Sequence, residues 1–314
     1  MNRFRICRIL AKLGLSAAAI AALATVGDAA RAQTEHTVLV LPSLSFNFLA
    51  EFVAEDAHLW EKQGLDVKVL HIIGVGALNA VISNSADFAM SAGTSISRAY
   101  ARGQKLVVLA TPIDHSGNDV VVRRDIAEAA HFDPNAPLSM RAQILKGRTI
   151  AVGGLGSIPD VVLRAVAKSA GVAPDQMVLT PMDPPEFMPA FARKAIDGFS
   201  NGAPFIQQVA VDGTGVIVSD SAKGEPTEYS PVSSTLLLTR ADFCAAHRSI
   251  CEKMVRGVVE ATRIIRHQPS EALAILKARF GAYDDKALSA AYDMLRAMTP
   301  DPPVTTAKSW RTAS

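Results

Sequence analysis

The sequence predicts an α/β fold built from two lobes. Short apolar, β-branched runs alternate with segments of helical periodicity, the pattern of parallel βα units. Two stretches, Gly76–Ser95 and Phe187–Pro204, also read alike: an apolar-periodic helix, an acidic turn (Asp87, Asp197), a very short strand, and a small polar loop opening another helix. Such loops leave backbone N–H groups free to face a ligand. Two of them in separate halves of the chain suggest lobes that close on one small molecule.

The elements follow in order. His36–Leu41, bounded by Pro42, reads as a buried strand. Phe46–Gln63 has helical spacing and stops at Gly64, and Leu65–Leu70 is the next strand. The first copy of the repeated arrangement follows, then strand Lys105–Thr111. Strand Asp119–Arg123 comes after a break, and a polar stretch leads to a helix near Met140–Leu145. Lys146–Val152 restarts the pattern, with helix Pro159–Ala170 and strand Gln176–Pro181. Gly215–Ser219 and Ser234–Thr239 are later strands, and Glu252–Arg266, Ser270–Phe280 and Asp285–Met298 read as helices. Residues 33–117 are therefore expected to build a first lobe and 118–220 a second. Residues 221–314 would return to pack on the first.

The first 32 residues read as a signal peptide. Arg3, Arg5, Arg8 and Lys12 precede the apolar run Leu13–Val26, and Ala30-Arg31-Ala32 supplies a small-x-small cleavage pattern. The run is shorter than the roughly twenty residues a membrane span needs. Cys7 lies in the basic region, not after an apolar stretch, so no lipid attachment is expected. Cleavage near Ala32 removes five of the 32 Lys/Arg and one of the 30 Asp/Glu, leaving 27 basic and 29 acidic residues, net −2. The basic balance belongs to the leader, and nothing in the remainder points to nucleic acid.

Export makes Cys244 and Cys251 a candidate disulfide. On one continuous helix their Cα atoms would stand about 10 Å apart, too far to bridge. A bond thus requires a break near Ala246–Ser249; the alternative is two buried thiols.

Several loops could touch a ligand. Gly153-Gly-Leu-Gly-Ser157 opens a helix, with Gly154 and Ser157 the candidate contacts and Ser157 equally a helix cap. Its glycine spacing is neither a dinucleotide fingerprint nor a Walker loop. Ser43, Ser45 and Phe46 follow the first strand, where Phe46 either stacks a ligand or plugs the groove. Gly74, Val75 and Gly76, then Gly93, Thr94 and Ser95, and then Asn201 and Gly202 complete the set. These loops contain no Lys or Arg, so an anion would rest on N–H groups, helix dipoles and hydroxyls. Asp114, His115 and Asp183 are the ionisable groups expected nearby, which leaves the ligand's charge open; Asp183 reads equally as a helix cap before Pro184-Pro185. No catalytic motif is present, and the scattered histidines have no metal-ligand spacing, so no catalytic residue, metal or cofactor is expected.

Strand 36–41 with Glu61–Val67 and Ser85–Ala89, then Lys146–Val152 with Gly156-Ser157 and Ala195–Gly198, resembles the periplasmic nitrate/sulfonate/taurine-type substrate-binding proteins of ABC importers. The resemblance spans about residues 36–270. It implies a type II periplasmic-binding fold, with two crossover segments as hinge and a small solute between the lobes. It also implies an inner-membrane permease as partner, a periplasmic location, a monomeric state and no enzymatic activity. His58 departs from the pattern by standing where the family usually has glycine. The family also includes pyrimidine-precursor synthases of thiamine biosynthesis, which carry a cysteine-rich segment absent here. A thiamine-precursor enzyme and a periplasmic ligand sensor are the alternatives.

Overall fold

The computed structural model describes residues 34–229 and 232–313; the expected signal peptide and Cys7 lie outside them. Among the described residues, ten strands form two five-stranded sheets. β1 (Glu35–Leu41), β2 (Leu65–His71), β3 (Phe88–Ser91), β4 (Leu106–Ile113) and β10 (Thr235–Arg240) make the first, in the order β2-β1-β3-β10-β4. β5 (Asn118–Arg123), β6 (Thr149–Val152), β7 (Val178–Pro181), β8 (Gly198–Gly202) and β9 (Gly215–Ser219) make the second, in the order β7-β6-β8-β5-β9. Both sheets are mixed. β10 runs antiparallel to β3 and β4, and β5 antiparallel to β8 and β9, while β1/β3, β6/β7 and β6/β8 are parallel. The chain passes between the sheets twice, from β4 to β5 and from β9 back to β10.

The helices are α1 (Leu49–Asp56), α2 (Gly76–Ile82), α3 (Gly93–Ala101), α4 (Arg124–Ala129), α5 (Leu138–Arg141), α6 (Ile158–Ser169), α7 (Phe187–Ala192), α8 (Phe205–Asp212), α9 (Ala241–Ala246), α10 (Arg248–His267), α11 (Pro269–Arg279), α12 (Asp285–Ala297) and α13 (Ala307–Ala313). They cover both faces of each sheet, as the period-two alternation of the strands requires. Leu39 and Leu41 face a core containing Phe52, Trp60 and Met254, whereas Val40 faces Leu78, Val81 and Ile96. In the second sheet Val120 and Val122 pack on Val162 and Val166, and Val121 faces Phe187, Phe199 and Phe205.

The repeated arrangement is a structural repeat. The Asp87 carboxylate accepts hydrogen bonds from the Val38 N–H (3.0 Å) and the Thr37 hydroxyl (2.9 Å), tying the turn before β3 to β1. Asp197 does the same for β8, accepting from the Thr149 N–H of β6 at 3.0 Å and from Arg123 at 3.1 Å. Each acid thus satisfies a backbone donor at the start of a neighbouring strand.

Three sequence expectations are corrected. The helix expected over 46–63 is broken into a 3-10 turn at Phe46–Phe48, α1, and a second 3-10 turn at Glu61–Gln63. The break is at His58, whose φ is +56°, a left-handed conformation at the position where glycine was the expected residue. The polar stretch after Arg123 contains α4. The C-terminal return does not pack on the first lobe alone. α10 and α11 lie against α1, but α12 packs on α8 of the second lobe. There Gln208 Oε1 accepts from the Asp284 N–H at 2.8 Å, and the Phe205 and Tyr283 rings meet edge-on at 5.6 Å.

Cys244 and Cys251 are joined by a disulfide, with their Cα atoms 5.8 Å apart. α9 ends at Ala246 and α10 begins at Arg248, and the non-helical His247 between them (φ −125°, ψ 51°) supplies the turn that a continuous helix would not.

Candidate functional site

A cavity of about 60 Å³ lies between the two sheets, where the loops at the carboxyl ends of β1, β2, β3, β6 and β8 converge. Of the residues expected to touch a ligand, the structure brings seven to its wall: Ser43, Ser45, Gly74, Val75, Ser95, Ser157 and Asn201. Ser91, at the head of the hydroxyl-rich start of α3, joins them; Asn47, Asn118, Ser234 and Thr235, none of the four anticipated, add amides and hydroxyls, and Phe48, Ile158 and Pro159 add apolar surface. None of the lining residues carries a formal charge.

Six expected contacts lie elsewhere, for identifiable reasons. Phe46 is fully buried and stacks edge-on against Phe280 at 4.8 Å, so it belongs to the first lobe's core. Its N–H nevertheless donates across the lobes to the Ala203 carbonyl at 2.8 Å. Gly76 and Gly93 are the first residues of α2 and α3, and the Gly93 N–H is taken by the Ser233 carbonyl. Thr94 lies beside Ser95 but does not reach the wall. Gly154 abuts Gly74 at the mouth. Gly202 makes room for Asn47: a Cβ at Gly202 would stand 2.6 Å from the Asn47 amide. Asp114 and His115 pair with each other at 2.7 Å away from the wall, and the Asp183 side chain makes no cap.

Hydrogen bonds fix which way several lining groups face. Asn201 Oδ1 accepts from the Gly202 N–H at 2.7 Å, leaving the Nδ2 donor without a protein partner in a residue 2% exposed. Ser45 accepts from the Asn47 N–H at 3.3 Å, which frees its hydroxyl proton. Ser157 is the residue before α6, yet it does not cap it. Its hydroxyl donates to the Gly154 carbonyl at 2.5 Å, and Asp160 takes the Gly156 N–H at 2.7 Å instead. Asn118 Nδ2 donates to the Ser116 carbonyl at 2.5 Å, so its Oδ1 faces Asn47, whose Nδ2 donates to it at 3.2 Å.

Charge enters only from outside the wall. The residues preceding α3 and α6, Ala92 and Ser157, both line the cavity, so two helix N-termini direct their positive ends at it. Arg98, one turn into α3, donates to the Ser95 hydroxyl oxygen at 3.3 Å. This cation lies inside a helix and not in the loops, where the sequence has none.

Two mixed sheets with flanking helices, in two lobes with a small cavity between them, make up the fold of the periplasmic binding proteins. The chain belongs to the NMT1/THI5-like family, whose model matches residues 45–272. Similar folds include a Bordetella bronchiseptica RB50 protein (TM-score 0.79, 20% identity, covering 88% of this chain and 87% of that one). The alkanesulfonate-binding protein SsuA from Xanthomonas axonopodis pv. citri, bound to MOPS, superposes with TM-score 0.67 at 14% identity, covering 86% of each chain. The periplasmic nitrate-binding protein NrtA from Synechocystis PCC 6803 gives 0.65 at 17% identity, covering 82% of this chain and 69% of that one. No protein with a curated description is a significant sequence match.

Proposed function

We propose that this chain is the solute-binding component of an ABC-type importer. In this reading it is exported to the periplasm, binds as a monomer a small polar solute of the sulfonate, nitrate or taurine class, and delivers it to an inner-membrane permease. The observation that carries the reading is the interlobe cavity whose wall residue Asn201 has a buried, unpartnered Nδ2 donor. A buried donor without an acceptor costs about 1–3 kcal/mol, a cost an oxyanion in the cavity would remove. The cavity's 60 Å³ holds roughly four to six water-sized groups at about 10–15 Å³ each, which suits a compact head such as nitrate or a sulfonate.

The lining supports binding over turnover, because it consists of hydroxyls, amides and apolar groups with no side chain suited to general acid–base work. The charge pattern supports an anion held without a formal counter-charge, by neutral donors and helix termini in a water-poor site. The reading is tested by calorimetry and thermal shift with nitrate, taurine, alkanesulfonates and pyrimidines. A saturable rise in melting temperature with an oxyanion, and recovery of that compound unchanged, is the expected result. Chemical conversion of a bound compound would replace the transport reading with the enzymatic one.

A further inference from the structure

The glycine-rich loop of the second lobe is gripped by the first lobe on two sides. On one side Gly156 lies against Val75, where a Cβ would be 3.7 Å from the Val75 side chain, and Gly154 meets Gly74. On the other side is Arg98. Its guanidinium donates to the Gly156 carbonyl at 2.9 Å and, from the same nitrogen, to the Ser95 hydroxyl oxygen at 3.3 Å. The carbonyl it holds belongs to the Gly156–Ser157 peptide, and Ser157 is on the cavity wall. The other side of Gly156 is fixed within the second lobe, where its N–H donates to Asp160, a residue 2% exposed that Arg164 holds at 2.7 Å.

We propose that Arg98 is the closure latch of this protein, a positioning residue that locks the glycine-rich loop over the bound solute and sets its residence time. The inference rests on the solute-binding reading. The physical reason is that Arg98 is made useful only by closure: its acceptor is on the opposite lobe, so the bond exists in the shut form and is lost in the open one. The Ser95 hydroxyl, whose oxygen Arg98 occupies, donates to the same Gly156 carbonyl at 3.5 Å, a longer second contact between the lobes at that point. Arg98, with the shorter bond at 2.9 Å, thus holds both the opposite lobe's carbonyl and the wall residue Ser95 that meets it. A charge-assisted bond to a neutral carbonyl is of moderate strength, and partial exposure reduces it. The effect therefore falls on dissociation, not on whether the cavity can be filled.

The test compares wild type with Arg98→Ala and Arg98→Lys. Stopped-flow release of the oxyanion identified by thermal shift is expected to be about five- to ten-fold faster in Arg98→Ala, with association little changed. Arg98→Lys, which retains a donor for Gly156, is expected to recover part of the loss. Spin labels at the exposed Lys68 and Lys168, one on each lobe, read closure directly and without solute. Arg98→Ala is expected to lengthen the label separation while the melting temperature of the unliganded protein stays the same. Equal release rates and equal label separations in wild type and Arg98→Ala would overturn the latch. A wild type that binds no solute would overturn the transport reading and the residence-time role with it, while a label distance that still shifts on Arg98→Ala would show that Arg98 holds the lobes together.

Discussion

Gly74 and Gly154 meet backbone to backbone at the mouth of the cavity: a Cβ placed on Gly154 would stand 2.9 Å from the Gly74 Cα. Both have positive φ, +61° and +155°, so a side chain at either position would also carry backbone strain. The two loops, one from each lobe, can approach this closely only because both are glycine. Gly154→Ala should therefore wedge the mouth open and impose about 1–2 kcal/mol of backbone strain. Solute affinity is expected to drop at least about tenfold. Calorimetry alongside circular dichroism checks this: lost affinity with an intact fold is the expected pair of outcomes.

Asn201→Asp isolates the donor facing the cavity. An aspartate keeps an oxygen for the Gly202 N–H but replaces the Nδ2 donor with negative charge. Binding of an anion should weaken by more than about a hundredfold, since a charge-assisted bond worth about 1.5–3 kcal/mol becomes a repulsion. Titration calorimetry on the purified variant decides it, and an affinity within a few-fold of wild type would mean that Asn201 does not meet the solute.

Glu51 predicts a pH-dependent stability. It is 1% exposed on α1, its carboxylate oxygens find no hydrogen-bond partner, and burial pushes its pKa up to about 8. In the unfolded chain the group ionises at its ordinary value near 4.5. The unfolded state therefore loses its proton first, and folding stability falls as pH rises from about 4.5 to 8. Asp119, buried and raised to about 7, adds to the same slope. Glu51→Gln should flatten part of this decline, which urea denaturation of both proteins at pH 5 and pH 8 would show. Parallel slopes in variant and wild type would count against it.

The Cys244–Cys251 disulfide closes a short loop across the α9–α10 break. In the chain-entropy account such a loop contributes about 2 kcal/mol. Reduction, or Cys251→Ser, is expected to lower the melting temperature by several degrees for a protein of this size. Thiol reagent added to the denatured, unreduced protein should leave both residues unlabelled.

A further substitution separates packing from binding at Gly202. Gly202→Ala drives a methyl into the Asn47 amide and should disturb the Asn47–Asn118 bond. Stability should fall by about 1–3 kcal/mol as an overpacked contact, measured by thermal denaturation without any solute present.

Much of the fold is legible in local pattern. Alternating strand and helix periodicities, the twin acidic turns at Asp87 and Asp197 and the glycine-rich run at 153–157 are short-range signals, and each corresponds to an element of the structure. His58 shows the limit of that reading: the residue type gives no hint of a left-handed φ, and only comparison with a glycine pattern drew attention to the position. The cavity was half legible. Ser43, Ser45, Gly74, Val75, Ser95, Ser157 and Asn201 belong to loops that follow strands, and a loop after a strand can be recognised from sequence. Asn118, Ser234 and Thr235 could not be, because they reach the wall by way of the two crossings between sheets, and Asn47 sits in a 3-10 turn that reads as the start of a helix.

The order of residues thus determines which segments become strands, which turns are glycine-dependent and where a helix must break for Cys244 to meet Cys251, since these depend on neighbours a few residues away. It does not determine that Phe46 turns into a core while Asn47 turns toward the hinge, or that Arg98 reaches the opposite lobe. Those outcomes follow from packing distant segments at native density, where the space left by Gly117, Gly154 and Gly202 decides which side chain fits.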